Sequence, residues 1–204
     1  MVYTEAGQNQ MSEGFYLKSS VNAGWQYNKY KLDVGVENQI LANKSKLISA
    51  WRLGLTREIQ IYKQHVQAML FLKQNQFSEF ITASNWGLLF LLKRNHFEYA
   101  IGKNFSIYSN QNSSINENFN FLYSFKYFIN ERTKNWNLGI YLTNYDYYNI
   151  HQETNPMLAI HGNYDINKQI SLKTEIWYLT AGAFNLRVNY FGSFLRTCLI
   201  WTIR

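Results

Sequence analysis

The stretch that decides the fold is Asn118–Tyr145, which reads NFNFLYSFKYFINERTKNWNLGIYLTNY. Its first arm carries an apolar side chain at every second position, which gives one face Phe119, Phe121, Tyr123, Phe125, Tyr127 and Ile129. The other face is polar except for Leu122 and Phe128. The second arm alternates in the same way and places on its apolar face Trp136, Leu138, Ile140 and Leu142. Strict alternation predicts two β-strands, because successive side chains of a strand point to opposite faces.

A short polar segment, Glu131–Asn135, separates the two arms. Two alternating runs that are joined by a short polar turn predict a β-hairpin. Each arm has about ten residues, which is enough for a tilted strand to cross a lipid bilayer. The central hairpin therefore indicates a membrane-spanning β-structure.

The same alternation recurs along most of the chain. Phe15–Tyr27 and Tyr30–Ile40 form a second clear pair, and Phe97–Tyr108 is a further run. Glu58–Lys73 fits both a strand and an amphipathic helix, and the surrounding pattern favours a strand. Two stretches, Ser109–Glu117 and Asp146–Pro156, are polar and predict loops.

The fold that these runs predict is all-β: a closed antiparallel up-and-down transmembrane β-barrel. The alternating runs number about eleven to thirteen, and a barrel whose two termini lie at the same end needs an even number of strands. We therefore expect about twelve strands. The chain shows no linker, so we expect one domain over residues 1–204, with residues 1–13 as a polar N-terminal segment.

Composition agrees with this class of protein. Aromatic residues make up 18% of the 204 residues, which suits the aromatic belts at two membrane interfaces. The mean hydropathy of −0.33 disfavours a helical membrane protein, and no apolar run reaches the roughly 18 to 20 residues of a transmembrane helix. The single proline, Pro156, suits a chain in which most backbone N–H groups donate to a neighbouring strand. The single cysteine, Cys198, excludes an internal disulfide and a cysteine-based zinc site.

The formal charge of +7 permits three interpretations: nucleic-acid binding, contact with anionic lipid headgroups, or an anion-favouring pore. Nucleic-acid binding requires clustered basic residues. The lysines and arginines are instead scattered over turns and polar strand faces. We therefore expect a lipid bilayer as the partner, and not a nucleic acid.

The pattern resembles the transmembrane β-barrel proteins of Gram-negative outer membranes. The resemblance covers residues 14–204 as a pattern and not as a motif, and it includes the alternating C-terminal run Phe194–Arg204. This run is similar to the assembly signal of that class, which usually ends on an aromatic residue. Here the chain ends on Arg204, and the nearest aromatic residue is Trp201. The resemblance implies a location in the bacterial outer membrane, with outer-membrane lipids or another envelope protein as partners, but no named activity.

The main candidate site is the set of charged residues on the polar strand faces. In a barrel these side chains face the lumen, where opposite charges pair and fill it or line a wet pore. The lumen-facing candidates are Lys18, Asp33, Glu37, Arg52, Lys126, Lys173, Glu175 and Arg196.

A second candidate site is the loop that ends at Pro156. Loops carry recognition on barrels because the strands are committed to closure. The loop offers aromatic contact surface with a nearby imidazole and acid, and its recognition candidates are Tyr147, Tyr148, His151 and Glu153.

Signatures of catalysis are absent from the sequence. The four histidines show no metal-ligand spacing, and no phosphate-binding glycine loop or HExxH pattern occurs. We therefore expect neither a metal nor a cofactor. A Ser/His/Asp hydrolase on a barrel needs its His and Ser close together on a lipid-facing surface, with His161 or His151 as the candidates here.

Three functional hypotheses follow. The first is an outer-membrane barrel that acts as a narrow pore, a surface-binding module or an envelope-complex component. The second is a lipid-modifying outer-membrane enzyme, and the third is a soluble β-barrel that binds an apolar ligand with its aromatic faces turned inward. Met1–Glu13 has no apolar core of the kind a signal peptide carries, which leaves open a mature chain, part of a longer protein or an intracellular protein.

Overall fold

The computed structural model describes residues 1–9, 14–41, 47–62, 64–76, 82–110, 114–129, 135–144, 156–179 and 192–203. Within these ranges the chain forms twelve strands: β1 (Val2–Asn9), β2 (Gly14–Tyr27), β3 (Tyr30–Leu41), β4 (Leu47–Ile61), β5 (Gln64–Gln76), β6 (Thr82–Arg94), β7 (Phe97–Ser109), β8 (Ser114–Phe128), β9 (Trp136–Thr143), β10 (Met157–Asp165), β11 (Ile170–Leu179) and β12 (Gly192–Trp201). These ranges contain no helix with the length and apolar character of a transmembrane helix.

The strands form one closed antiparallel barrel in which each strand pairs with its sequence neighbour and β1 pairs with β12. Closure gives every strand two hydrogen-bonded neighbours, which a bilayer requires because it offers no water to unpaired backbone groups. The predicted fold class is confirmed, and the predicted number of strands is correct.

One end of the barrel carries short connections and both chain termini, and we call it the short-turn end. The turns after β2 and β6 place Asn28 and Asn95 in the left-handed region, with φ of 52° and 48°. Asparagine tolerates this conformation, and such turns match the twist of the flanking strands. At the opposite end, the loop end, each of the six connections includes residues outside the described ranges.

The outer surface is apolar. Large apolar side chains are exposed on all twelve strands, one example from each being Val2, Val21, Val36, Leu55, Leu70, Phe90, Ile101, Phe121, Ile140, Ile160, Ile176 and Leu199. An exposed apolar surface that surrounds the whole molecule is stable in lipid and not in water. This orientation is opposite to the one that the soluble-barrel hypothesis requires.

Exposed aromatic side chains flank the apolar surface at the short-turn end. They form a girdle that comprises Trp25, Tyr27, Tyr30, Trp136, Tyr164 and Trp201. Aromatic rings of this amphipathic kind favour the level of the lipid headgroups. The guanidinium of Arg57 lies 5.3 Å from the ring centroid of Tyr30, which adds a cation–π contact at this level.

The N-terminal segment 1–13, for which no strand was predicted, takes part in the barrel. The segment 1–13 contains strand β1, which pairs with β2 on one side and β12 on the other. The sequence gives little sign of this strand because Val2 is its only large apolar residue on the outer face, while Glu5 points inward. Backbone pairing with two neighbours holds the strand where its side-chain pattern is weak.

Two other boundaries also differ from the prediction. Ser109–Glu117 was expected to be a loop, but Ser109 ends β7 and Ser114 begins β8. These polar residues continue the β-ladder because strand pairing does not require an apolar face. Glu58–Lys73 is strand, as favoured, but the chain turns within it, where β4 ends and β5 begins.

Candidate functional site: the barrel lumen

A row of alternating charges crosses the inner wall on four adjacent strands. The strand register places Glu175 of β11 opposite Arg196 of β12, Arg196 opposite Glu5 of β1, and Glu5 opposite Lys18 of β2. Each residue thus has a neighbour of opposite sign at the same level, an arrangement that stabilises cross-strand pairs. We call these four residues the charge row.

Arg196 is the centre of the charge row. Its Nε and Nη2 atoms donate to Glu5 Oε2 at 2.9 and 2.6 Å, and its Nη1 donates to Glu175 Oε2 at 3.1 Å. Tyr16 adds a hydrogen bond from its hydroxyl to Glu5 Oε1 at 2.9 Å. No more than 1% of each charge-row residue is exposed. Ion pairs that are shielded from water to this degree are strong electrostatically but costly to assemble.

Glu37 is the centre of a second group, which adjoins the charge row. Lys73 Nζ lies 2.7 Å and Lys18 Nζ 3.4 Å from Glu37 Oε1, while the Tyr3 hydroxyl donates to Oε2 at 3.0 Å. Lys18 belongs to both groups, so the two form one continuous polar network. This network extends along the inner wall from β11 to β5.

Arg52 extends the polar network across β3. Its Nε donates to Asn22 Oδ1 at 3.0 Å, and its Nη2 contacts the same oxygen. The contact passes over Gly35, where an added Cβ would overlap both Asn22 Oδ1 and Arg52 Nε. Glycine at this position is what lets the long side chain reach past its neighbouring strand.

Two parts of the inner wall outside the polar network are apolar. Phe71, Leu89, Ala100 and Leu122 pack together on β5 to β8, and a second cluster on the opposite side contains Tyr16, Tyr141, Met157, Ala159, Trp177 and Phe194. Every strand has at least one inward side chain that is less than 9% exposed. A continuous water-filled channel would expose the side chains that line it. The middle of the lumen is therefore filled with side chains.

A cavity of about 420 Å³ lies in the lumen near the short-turn end. Its polar lining includes Lys93, Glu98, Lys126, Asn137, His161, Asn163, Asp165 and Lys173, and its aromatic lining is Phe128 and Tyr141. A second, shorter row of alternating charges lies on its wall, because Glu98 is 3.4 Å from Lys93 and 2.8 Å from Lys126. We call this space the vestibule.

The structure places the eight predicted lumen residues in two environments. Glu37, Arg52, Lys18, Glu175 and Arg196 are buried in the polar network. The other three are partly exposed inside the barrel: Lys126 and Lys173 at the vestibule, and Asp33 in an ion pair with Lys31 at 3.1 Å. The four loop candidates Tyr147, Tyr148, His151 and Glu153 lie outside the described residues.

Sequence analysis missed several residues of the network, among them Glu5, Tyr3 and Lys73. Glu5 lies on the unpredicted strand β1, and Tyr3 precedes it on the same face. Lys73 lies on the inner face of β5 with Phe71 and Asn75. The alternation of β5 could have identified Lys73 if the turn after Ile61 had been recognised.

The geometry does not support His161 as part of a lipid-facing hydrolase site. His161 lies inside the barrel, with its ring stacked on Tyr141 at a centroid distance of 4.5 Å and edge-on to Phe128 at 5.4 Å. It is therefore remote from the lipid surface that such an enzyme must reach. Among the described residues, no cluster of three His, Cys, Asp or Glu side chains could hold a metal ion.

Comparison with known proteins identifies the architecture. No family model matches the chain, and no curated protein matches it in sequence. Similar solved structures are the NanC porin, with a TM-score of 0.56, 14% identity and full coverage of both chains, and the KdgM porin, with 0.55, 7% identity and coverage of 100% of this chain and 99% of that one. Outer membrane phospholipase A from Escherichia coli is similar with 0.55, 7% identity and coverage of 98% and 89%.

The chain has the fold of the outer-membrane β-barrels. Identities this low establish the fold and not a shared activity. The same architecture occurs in porins and in a phospholipase, so function must be argued from the lumen of this chain. The apolar outer surface and the aromatic girdle fit the bilayer environment that this fold implies.

Proposed function

We propose that the protein is a narrow pore of the bacterial outer membrane whose lumen is closed at rest by the polar network. The single observation that carries the proposal is the chemistry of the material that fills the lumen. Four charged residues in one row, no more than 1% of each exposed, occupy a place that apolar side chains could fill.

Stability alone does not account for these charges. A buried ion pair loses so much hydration that well-packed apolar side chains of similar volume are often equally or more stabilising. Charged side chains differ from apolar ones in that water and ions can replace their partners when they separate. A lumen filled with paired charges can therefore become a wet path, whereas one filled with leucine or phenylalanine would remain dry.

The vestibule is the space from which water could enter the closed part of the lumen when the ion pairs separate. Lys173 lines the vestibule and lies 2.5 Å from Glu175, which belongs to the charge row. One ion pair thus connects the wet space to the closed part of the lumen. Movement of the Lys173 side chain would expose Glu175 and then Arg196 to solvent.

The proposal includes an orientation of the barrel in the membrane. We place the short-turn end at the periplasm and the loop end outside the cell, as both termini lie together with the short connections. The loop candidates Tyr147, Tyr148, His151 and Glu153 would then face the exterior, where outer-membrane lipids or another envelope protein could bind them. This surface-binding role stays a prediction.

The test is single-channel recording of the purified protein in planar bilayers. We expect mostly closed traces with brief, small openings, and a higher open fraction for Arg196→Gln, which weakens the charge row. Lys31→Gln is the matched control, because Lys31 is 52% exposed and lies outside the charge row. Heat-modifiable migration on a gel confirms that each variant is folded. Absence of openings in folded wild type and in folded Arg196→Gln would contradict the proposal.

A further inference from the structure

A lysine lies on the outer surface of the barrel at the centre of a strand. Lys103 is the seventh of the 13 residues of β7 and stands opposite Leu88 of β6 and Phe121 of β8, both of which are exposed on the outer surface. It shares this face with Ile101 and Phe105, because side chains of a strand alternate between faces. Among the described residues, no other lysine or arginine of the outer face lies as far from both strand ends. A charged side chain on the lipid face is least tolerated near the membrane centre and better tolerated near the headgroups.

The ammonium group of Lys103 is directed toward the loop end. Its Nζ lies 4.6 Å from the ring centroid of Phe105, which is two residues nearer the loop end on the same strand. Phe105 in turn stacks on Trp86, its partner in the strand register, with a centroid distance of 4.3 Å and an interplanar angle of 16°. Lysine commonly lays its apolar stem along apolar surface while its charged group reaches the interface, and the face of an aromatic ring attracts an ammonium. Lys103 therefore brings its charge from the apolar zone toward the headgroups.

Polar side chains mark the headgroup level just beyond this ring pair. Gln74 of β5 and Ser84 of β6 stand opposite each other, two positions nearer the loop end than Trp86. The Nε1 atom of Trp51 donates to Oε1 of Gln74 at 2.9 Å on the exposed surface. Tryptophan favours the membrane interface, where its ring meets lipid and its N–H group meets polar partners. The ammonium of Lys103 thus approaches a polar zone from its membrane side.

The surroundings of Lys103 on the outer face are apolar. Strand β6 contains no acidic residue, and the one acidic residue of β7, Glu98, is buried in the lumen. Glu117 of β8 pairs in the register with Ser106, three positions along β7 from Lys103. Outside the protein, the negative charges at this depth are the phosphate groups of anionic lipids. An ammonium carries three N–H donors, and its hydrogen bonds to phosphate oxygens are of the strong, charge-assisted kind.

We propose that Lys103, together with the Phe105–Trp86 ring pair, binds the phosphate group of an anionic lipid in the leaflet at the loop end. Charge complementarity and position identify the ligand as a lipid, because the ammonium lies on the lipid-facing surface among apolar side chains, where a soluble phosphate does not enter. The acyl chain of the same lipid packs against the exposed rings of Trp86 and Phe121. This site is on the outer surface, so binding does not require that the lumen conduct.

The test measures the quenching of tryptophan fluorescence by brominated lipids around the full chain in phosphatidylcholine vesicles. One probe is phosphatidic acid brominated near its headgroup, and the other is phosphatidylcholine brominated at the same carbons. The difference between wild type and Trp86→Phe isolates the signal of Trp86. We expect the neighbourhood of Trp86 to be enriched about fivefold in phosphatidic acid, the effect of one lysine near an anionic headgroup. Equal quenching of Trp86 by the two lipids would overturn the proposal.

Variants locate the site on Lys103. Lys103→Gln should remove the excess quenching by phosphatidic acid, and Lys103→Arg should retain it, because only the second keeps the charge. Arg57→Gln is the matched control, since it removes a cation that also contacts an aromatic ring, with the guanidinium 5.3 Å from the ring centroid of Tyr30, but at the short-turn end. An equal loss in Arg57→Gln would show a diffuse charge effect and overturn the site.

The remaining outcomes also decide the proposal. Excess quenching that persists in folded Lys103→Gln would overturn it. If Lys103→Gln does not fold, as judged by heat-modifiable migration, Lys103→Leu makes the same test with a side chain that suits the lipid face. Self-association of wild type that is lost in Lys103→Gln, without any preference for phosphatidic acid, would assign the surface to a second copy of the chain and overturn the lipid site. A barrel that binds the lipid but never conducts would contradict the pore and leave the lipid site intact.

Discussion

Replacing Arg196 by methionine should destabilise the barrel strongly, because it leaves two buried carboxylates without their shared cation. Arg196 donates hydrogen bonds to both Glu5 and Glu175, and it is 0% exposed. Glu5 keeps the hydrogen bond from Tyr16, and Glu175 keeps Lys173. Removal of one partner from a buried ion pair costs about 3–5 kcal/mol, and we expect a loss of that size in the free energy of unfolding.

The measurement is urea-induced unfolding of the protein in lipid vesicles, followed by tryptophan fluorescence. The matched control is the triple variant Glu5→Gln, Glu175→Gln, Arg196→Met, which removes the stranded charges together with the arginine. We expect the triple variant to recover most of the lost stability, since neutral groups cost less to bury than charges. An Arg196→Met barrel within about 1 kcal/mol of wild type would refute this reasoning, as would a triple variant no more stable than the single one.

Three other predictions address the lipid face, the vestibule and the topology. Ile140→Arg should cost about 2–4 kcal/mol in vesicles if Ile140 lies near the membrane midplane, while Ile140→Leu should be nearly neutral; equal stability would place it at an interface. Lys126→Glu should shift the reversal potential of single channels in a KCl gradient towards cation preference. An unchanged reversal potential would show that Lys126 does not line the path of the ions. A cysteine introduced at Gln152, outside the described residues, should react with a membrane-impermeant maleimide on intact cells; reaction only after permeabilisation would invert the proposed topology.

The barrel could be predicted from the sequence because its signal is local. In the central hairpin, Phe121 and Ile140 fall on apolar faces of alternating runs, and both are exposed on the outer surface. A lipid-facing strand must be apolar at every second position, so this pattern persists wherever the strand lies in the membrane. The same alternation places the remaining side chains of each strand on the inner face, which is why charged residues were expected there.

The pairing of those charges could not be predicted in this way. Glu5 and Arg196 are 191 residues apart in sequence and meet only because β1 closes against β12. The contact of Arg52 with Asn22 depends on Gly35 in the strand between them, and alternation shows no reason for a glycine there. Apolar inward residues such as Leu122 were exceptions to the pattern, and their role in filling the lumen emerges only when four strands bring them together.

The position of the charge row has a consequence for biogenesis. Its Glu5–Arg196 pair spans the seam between the first and last strands, so this pair forms only when the sheet closes. A nascent sheet that inserts before closure holds an arginine and a glutamate that lack each other, and both prefer water to the bilayer interior. Closure brings together the two ends of the sequence, and contacts between residues so far apart in sequence form slowly. The unpaired charges at the seam thus destabilise an open sheet in lipid, and the ion pair that forms on closure stabilises the completed barrel.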